Sequence, residues 1–272
     1  MLTTVVSHII RLSLLLAIVF PAAQAQQPQN PPQPPPSPLP APNIPELISE
    51  LKSEELVGAT VERLVRAHAV EAIPALKEQF QRREDISDRA KIASALVRLG
   101  ERDETYWQYL VKEATEVLNN DPPDLFQYDG NGKAIKPGND TPPEVQTWAA
   151  AHNLSKEAAW EYLFSKGPGQ VLDLAATGDP RGVPVLRRAL LARNVLVQSS
   201  AAMGLAQAKD KDSVHDIVEA CRRAPSEVAQ VLARWLVYFD DPEAQSAFDR
   251  YVPAEMAKAM REERAAGRPP IP

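Results

Sequence analysis

Ile73-Pro74-Ala75-Leu76, closed by Phe80, is one of three copies of a single phrase. The others are Ile44-Pro45-Glu46-Leu47 closed by Leu51, and Val183-Pro184-Val185-Leu186 closed by Leu190. The shared pattern, apolar-Pro-x-Leu-x-x-x-apolar, starts a helix with proline in its first turn, where a missing N–H costs nothing, and buries one stripe. A leucine stands ten residues before the proline position each time it can be counted: Leu64 before Pro74, Leu174 before Pro184, Leu205 before His215 and Leu236 before Ser246. His215 lies 31 residues after Pro184, and Ser246 lies 31 after His215. Around His215 the flanks persist as Val214, Ile217 and Cys221, and around Ser246 as Phe248 and Val252. Counting back 31 from Pro184 reaches Asn153, and Trp107 with Val111 fit a further unit near Thr105. The register predicts an all-α chain of about seven short helix pairs of roughly 30 residues, stacked as an α-solenoid.

The helix signals agree. Val228, Val231, Leu232, Trp235 and Phe239 follow a 3.6-residue spacing, with Glu227, Gln230 and Arg234 on the wet side. Asp179-Pro180 and Asp241-Pro242 read as N-cap pairs, and Asn43-x-x-Glu46 and Thr141-x-x-Glu144 as capping boxes. One long loop, residues 119–141, interrupts the array with Pro122, Pro123, Gly130, Gly132, Pro137 and Gly138. Within it Asp129-Gly130-Asn131-Gly132 predicts a tight turn between Gln127-Tyr128 and Lys133-Ala134-Ile135. The helical array is expected over 43–262, with a flexible tail over 263–272.

The N-terminus reads differently. Arg11, the apolar run Leu12 to Phe20 and the small-x-small site Ala23-Gln24-Ala25 form a secretory signal over residues 1–25. An uncleaved anchor is the alternative, since residues 1–10 are also apolar. Residues 26–42 are a Pro/Gln-rich stretch suited to a stiff extended linker. The expected location is therefore the periplasm or the secreted fraction. Cys221 is the only cysteine, so an internal disulfide is excluded. Lys and Arg number 30 against 36 Asp and Glu, a net charge of −6, which disfavours nucleic acid as a partner.

These residues resemble HEAT-type repeats, in particular the short phycobilisome-lyase HEAT-like variety. The closest stretch is Gly178-Asp179-Pro180-Arg181-Gly182-Val183-Pro184-Val185-Leu186. Asp85 stands at that pattern's turn acid, Arg89 at its second-helix arginine, and Ala93, Ala95 and Leu96 at its small-residue seam. Later copies depart from it, with Asn194 in the acid's place and Gln198 in the arginine's. The resemblance implies an armadillo-type superhelix that binds protein or extended peptide along a concave surface. A minority of such arrays serve in bilin attachment, but no recurrent polar pocket stands out here.

Chemistry is sparse. His68, His152 and His215 lie in no metal-binding spacing. His215 and Cys221 are six residues apart, about 240° around a helix, so they face different ways. Asp129 and Asn131 start a calcium-loop order that fails at Lys133. No catalytic residue, cofactor or metal ligand is expected. The aromatic residues around the loop, Trp107, Tyr109, Tyr128, Trp148, Trp160 and Tyr162, have two readings. Exposed together they would form a partner-binding patch. Alternatively they refill the core where the loop disturbs stacking. The expectation is a non-catalytic scaffold, the alternatives being a lyase-type enzyme subunit or a structural subunit of an envelope complex.

Overall fold

The proline phrases do start helices. A computed structural model of the chain describes residues 43–52, 57–135 and 141–267; the segments read as signal and linker lie outside them. The first helices are α1 (Ile44–Glu50), α2 (Val57–Arg66), α3 (Ile73–Arg82), α4 (Ile86–Arg98) and α5 (Glu104–Asn120). A two-residue hairpin, β1 (Gln127–Tyr128) and β2 (Ala134–Ile135), precedes α6 (Pro143–Ala151) and α7 (Lys156–Glu161). A π-helical turn, Tyr162–Lys166, joins α7 to α8 (Gly167–Ala175). Then follow α9 (Val183–Ala189), α10 (Val195–Gln207), α11 (Val214–Arg223), α12 (Ser226–Ala233), α13 (Pro242–Tyr251) and α14 (Ala254–Ala265). About three quarters of the described residues are helical, and the fold is all-α.

In each phrase the proline occupies the helix's first turn. The leucines Leu47, Leu76 and Leu186 and the closing residues Leu51, Phe80 and Leu190 are buried. The counted leucines Leu64, Leu174, Leu205 and Leu236 are buried too. Three of the four ten-residue intervals share a backbone cause; the fourth does not, since Ser246 lies inside the helix that starts at Pro242. Four residues after Leu64, Leu174 and Leu205 the chain turns left-handed, at His68 (φ 51°), Gly178 (φ 60°) and Lys209 (φ 54°). After His68 and Lys209 the next N–H donates back to the leucine carbonyl, Ala69 to Leu64 at 3.0 Å and Asp210 to Leu205 at 3.2 Å. This closes the helix in the 6→1 manner of a Schellman end. A 3₁₀ turn of three residues follows, Val70–Ala72, Pro180–Gly182 or Lys211–Ser213, and the next α-helix starts at once. His215 takes the proline's place with the same geometry, so proline is permitted there rather than required.

The helices pack two by two. α1 lies on α2, α3 on α4, α9 on α10 and α11 on α12, while α14 covers α13 and the 3₁₀ turn Arg234–Tyr238. The partner of α5 is α8, far along the chain. Residues 121–166 are thus an insertion inside one pair, and beside the insertion's own α6 and α7 the described residues form six pairs. The unit expected at Thr105 is one continuous helix, α5, whose buried face is Tyr106, Trp107, Leu110, Glu113, Ala114 and Val117. Asn153, expected to start another unit, is a left-handed residue after α6. Second helices also meet their neighbours: α2 touches α4, α4 touches α8, α8 touches α10, and α10 touches α12. Gly204 makes the α8–α10 approach possible, since a Cβ there would stand 2.6 Å from Ala175 Cβ.

Several local expectations are corrected. α5 runs to Asn120, so the break starts at Asp121 and not at residue 119. α14 continues to Ala265, into the stretch expected to be tail. The Asn43 side chain makes no capping bond. Thr141 does not cap α6; it is buried and its hydroxyl accepts from Trp160. The second helix expected to reach Phe239 is α-helical only to Ala233 and ends in a 3₁₀ turn, with Arg234 half-buried on it rather than in solvent.

Candidate functional site

The insertion is built on its own small core of Leu125, Val145, Trp148, Ala149, Ala159 and Leu163. Its two helices are short, and large rings supply the volume that paired helices would otherwise give. Trp160 stacks on Phe164 at 5.3 Å, and Trp148 lies 5.3 Å from Tyr162. Three of these rings also carry a polar tether. The Trp148 indole N–H donates to the Asn120 carbonyl at 2.8 Å, the Trp160 indole to Thr141 Oγ1 at 3.2 Å, and Asn120 Nδ2 to the Tyr162 hydroxyl at 3.3 Å.

The six aromatic residues singled out from the sequence therefore do not form one patch. Trp148, Trp160 and Tyr162 belong to the insertion's core, whereas Trp107, Tyr109 and Tyr128 pack on the main core. Trp107 is buried with the Arg181 guanidinium over its ring at 4.4 Å. Tyr109 meets Phe80 edge-on at 5.3 Å beneath the Arg89 guanidinium, and burial pushes its hydroxyl up to about 12. Trp107 and Trp148 are buried, while Tyr109, Tyr128, Trp160 and Tyr162 stay half-exposed against the two cores.

Two junction residues explain departures from the repeat pattern. Asn194 caps α10 through Oδ1, which accepts from the N–H groups of Leu196 and Val197. Its Nδ2 donates to the carbonyls of Pro123 and Leu163 in the insertion. An aspartate, the acid of the repeat pattern, could cap the helix but could not donate. Gln198, in the arginine's place, donates to the Leu190 and Ala192 carbonyls and closes the preceding turn. Asp124 sits beside this junction, accepting from the Tyr128 hydroxyl at 3.0 Å and from the Phe126 N–H at 3.2 Å. Burial raises its carboxyl to about 6 despite these bonds and one from the Val195 N–H. The Tyr128 phenol is pushed up by burial and by that carboxylate.

Across the second helices runs a row of half-exposed polar and aromatic side chains that sequence reasoning did not single out. Glu62 on α2 takes both arms of Arg98 on α4, at 2.7 and 3.3 Å. Burial raises the Glu62 carboxyl, but hydrogen bonds and charge from Arg98 and Arg66 outweigh it, leaving the group below its usual range. Asp173 on α8 faces Lys91 and Arg98 of α4; burial raises it to about 7, although the two cations favour its charged form. Trp235, after α12, donates to Ser199 of α10 at 3.4 Å and stacks on Tyr238. Gln230 of α12 reaches Met256 of α14. The only sequence signal for this row is its place on the outer side of each second helix, a side whose neighbours are other units and invisible in any one repeat.

His215 and Cys221 part as their spacing predicts. The imidazole is exposed beside Glu243 at 3.3 Å, and the thiol is buried against the Ala229 carbonyl, its pKa pushed up to about 12 by burial. Such a thiol is a core hydrophobe, not a nucleophile. Open grooves are present among the described residues, two of them as follows. One, of about 470 Å³, lies between α13 and α14 along Val252, Ala257, Arg261 and Ala265. The other, of about 360 Å³, lies beside Trp107 among Glu101, Glu104, Asp179 and Arg181, where the arginine is already paired with Glu104 and Asp179. Among the described residues, no group of three His, Cys, Asp or Glu could hold a metal ion, and no helix is long and apolar enough to cross a membrane. Family models, curated proteins and solved structures yield no match to this chain.

Proposed function

We propose that this chain is an exported α-solenoid of HEAT-like helix pairs that binds a protein or extended peptide on the face made by its second helices. The observation that carries the reading is the row just described: half-exposed side chains bridge the joints α2–α4, α4–α8, α10–α12 and α12–α14. A face shared by several units suits an elongated ligand, as repeat arrays use extended surfaces for binding. Charge on it alternates between Lys91 and Asp173, and Trp235 offers the amphipathic ring favoured at binding centres. Catalysis is not part of the proposal, nor is a cofactor.

Two measurements test it. Small-angle scattering of residues 43–267 should give a radius of gyration clearly above the roughly 17 Å of a compact domain this size; a compact value removes the solenoid. Partners retained from envelope extract by the mature protein should be lost on Lys91→Glu and Trp235→Ala with helicity unchanged. Retention of the same partners by both variants removes the second-helix face from the account.

A further inference from the structure

The insertion does more than fill one pair. It leaves α5 at Asn120 and is held next by the fourth pair: Arg193 donates to the Asp121 carbonyl at 2.7 Å and pairs with the Asp121 carboxylate at 3.0 Å. Asn194 binds Pro123 and Leu163, as above. Its hairpin tip then reaches the fifth pair, where Ser226 Oγ donates to the Asn131 carbonyl at 2.9 Å and the Glu227 N–H to the Gly132 carbonyl at 3.3 Å. The approach is close: Gly132 adopts φ +75°, and a Cβ there would stand 2.5 Å from Ser226 N. The turn is pre-shaped, because Asp129 Oδ1 accepts from the N–H groups of both Asn131 and Lys133. A flexible surface loop would make neither the pre-shaped turn nor contacts with three successive pairs.

We propose that residues 121–135 are a brace that fixes how the third, fourth and fifth helix pairs sit against one another. Pairs in a stack touch only their neighbours, so small rotations at each joint add along the array. A strap tied to three pairs removes two of those freedoms at once. If the second-helix face is the binding surface, the brace sets the spacing of that face, and this consequence alone rests on the function proposed above.

The test needs no partner, so its failure is separate from a failure to find one. Spin labels at the exposed positions Gln108 on α5 and Arg223 on α11, in a Cys221→Ala background, report the distance between third and fifth pairs. Amide exchange over residues 226–230 reports the docking itself. Gly132→Val should speed that exchange roughly tenfold, the loss of one or two hydrogen bonds, and should broaden the distance distribution. Ser226→Ala should do the same more mildly, and it decides by the same two readouts if Gly132→Val loses helicity. Faster exchange with an unchanged distance distribution overturns the brace, as does unchanged exchange.

Discussion

The main core and the core of the insertion solve one packing problem with different materials. Around α4, α8 and α10 many of the buried residues are small: Ala90, Ala93, Ala95, Ala175, Ala201, Ala202 and Gly204. Regular helix pairs supply backbone on both sides, so small residues let the helices come together and leucines fill what is left. The insertion has two short helices and no regular neighbour, and it fills its volume with Trp148, Trp160, Tyr162 and Phe164. Rings carrying N–H or O–H groups also tie irregular chain together, which alanine cannot do. Repetition thus economises on side-chain volume, and irregular structure relies on aromatic tethers.

Four substitutions would break or sharpen that contrast. The largest effect should come from truncating leucine in each core. Leu205→Ala and Leu163→Ala should each cost about 2–5 kcal/mol. The first should lower the whole unfolding transition, whereas the second should detach an early transition seen by tryptophan fluorescence while far-ultraviolet helicity persists. A single shared transition for both variants would mean the two cores are one. Next comes Gly204→Ala, expected to cost about 1–3 kcal/mol in chemical denaturation, since the added methyl has no room against Ala175. The same change at half-buried Gly169, whose Cβ would meet nothing within 4 Å, should be neutral or slightly stabilising.

The third prediction concerns pH. Asp124 has a folded-state pKa of about 6 against an unfolded value of 3.8. The folded state therefore binds its proton more tightly. Its contribution is fully present below about pH 4 and is lost as pH rises through about 6. The amplitude is on the order of 2 kcal/mol, allowing for partial solvent access. Asp124→Asn should flatten the stability profile between pH 4 and 6; a profile as steep as that of the parent protein would show the carboxyl does not titrate there. The smallest effect is at Lys209, held left-handed at φ 54°. Lys209→Gly relieves a strain of about 1 kcal/mol but loosens the unfolded chain. A melting temperature raised by a degree or two is expected.

The helical class and most of the register were legible in the sequence, because the signals are local. Proline in a first turn, a leucine stripe and Asp179 or Asp241 at a cap are properties of single segments. The pairing of α5 with α8 was not legible, since it joins residues on either side of a long insertion and no periodicity survives that gap. Counting therefore placed a unit at Asn153 that the fold does not contain, whereas the unit near Thr105 starts where expected, at Glu104, and finds its second helix only beyond the insertion. The hairpin was readable from Asp129-Gly130-Asn131-Gly132, but its docking on Ser226 was not, because a turn sequence says nothing about what it touches. Asn194 and Gln198 looked like decay of the repeat pattern. The structure makes each of them a hydrogen-bond donor to backbone carbonyls, and at Asn194 the expected aspartate has no donor to offer. The row from Glu62 to Trp235 failed to stand out for the same reason: its members are ordinary surface residues until neighbouring units bring them together.

The insertion's address in the chain has a consequence of its own. It lies between the two helices of one pair, outside the ten-residue stretch that joins each leucine to the next proline. In the intervals from Leu64, Leu174 and Leu205 that stretch carries the left-handed turn, the 3₁₀ step and the new helix start, and it has no slack for an extra residue. The connection within a pair has no such limit, since both its ends emerge on one edge. Growth of this architecture by acquisition of new segments is therefore channelled to one kind of joint. A designer grafting a foreign loop would do best to replace residues 121–166, or to copy their placement, and to leave every leucine-to-proline interval at ten.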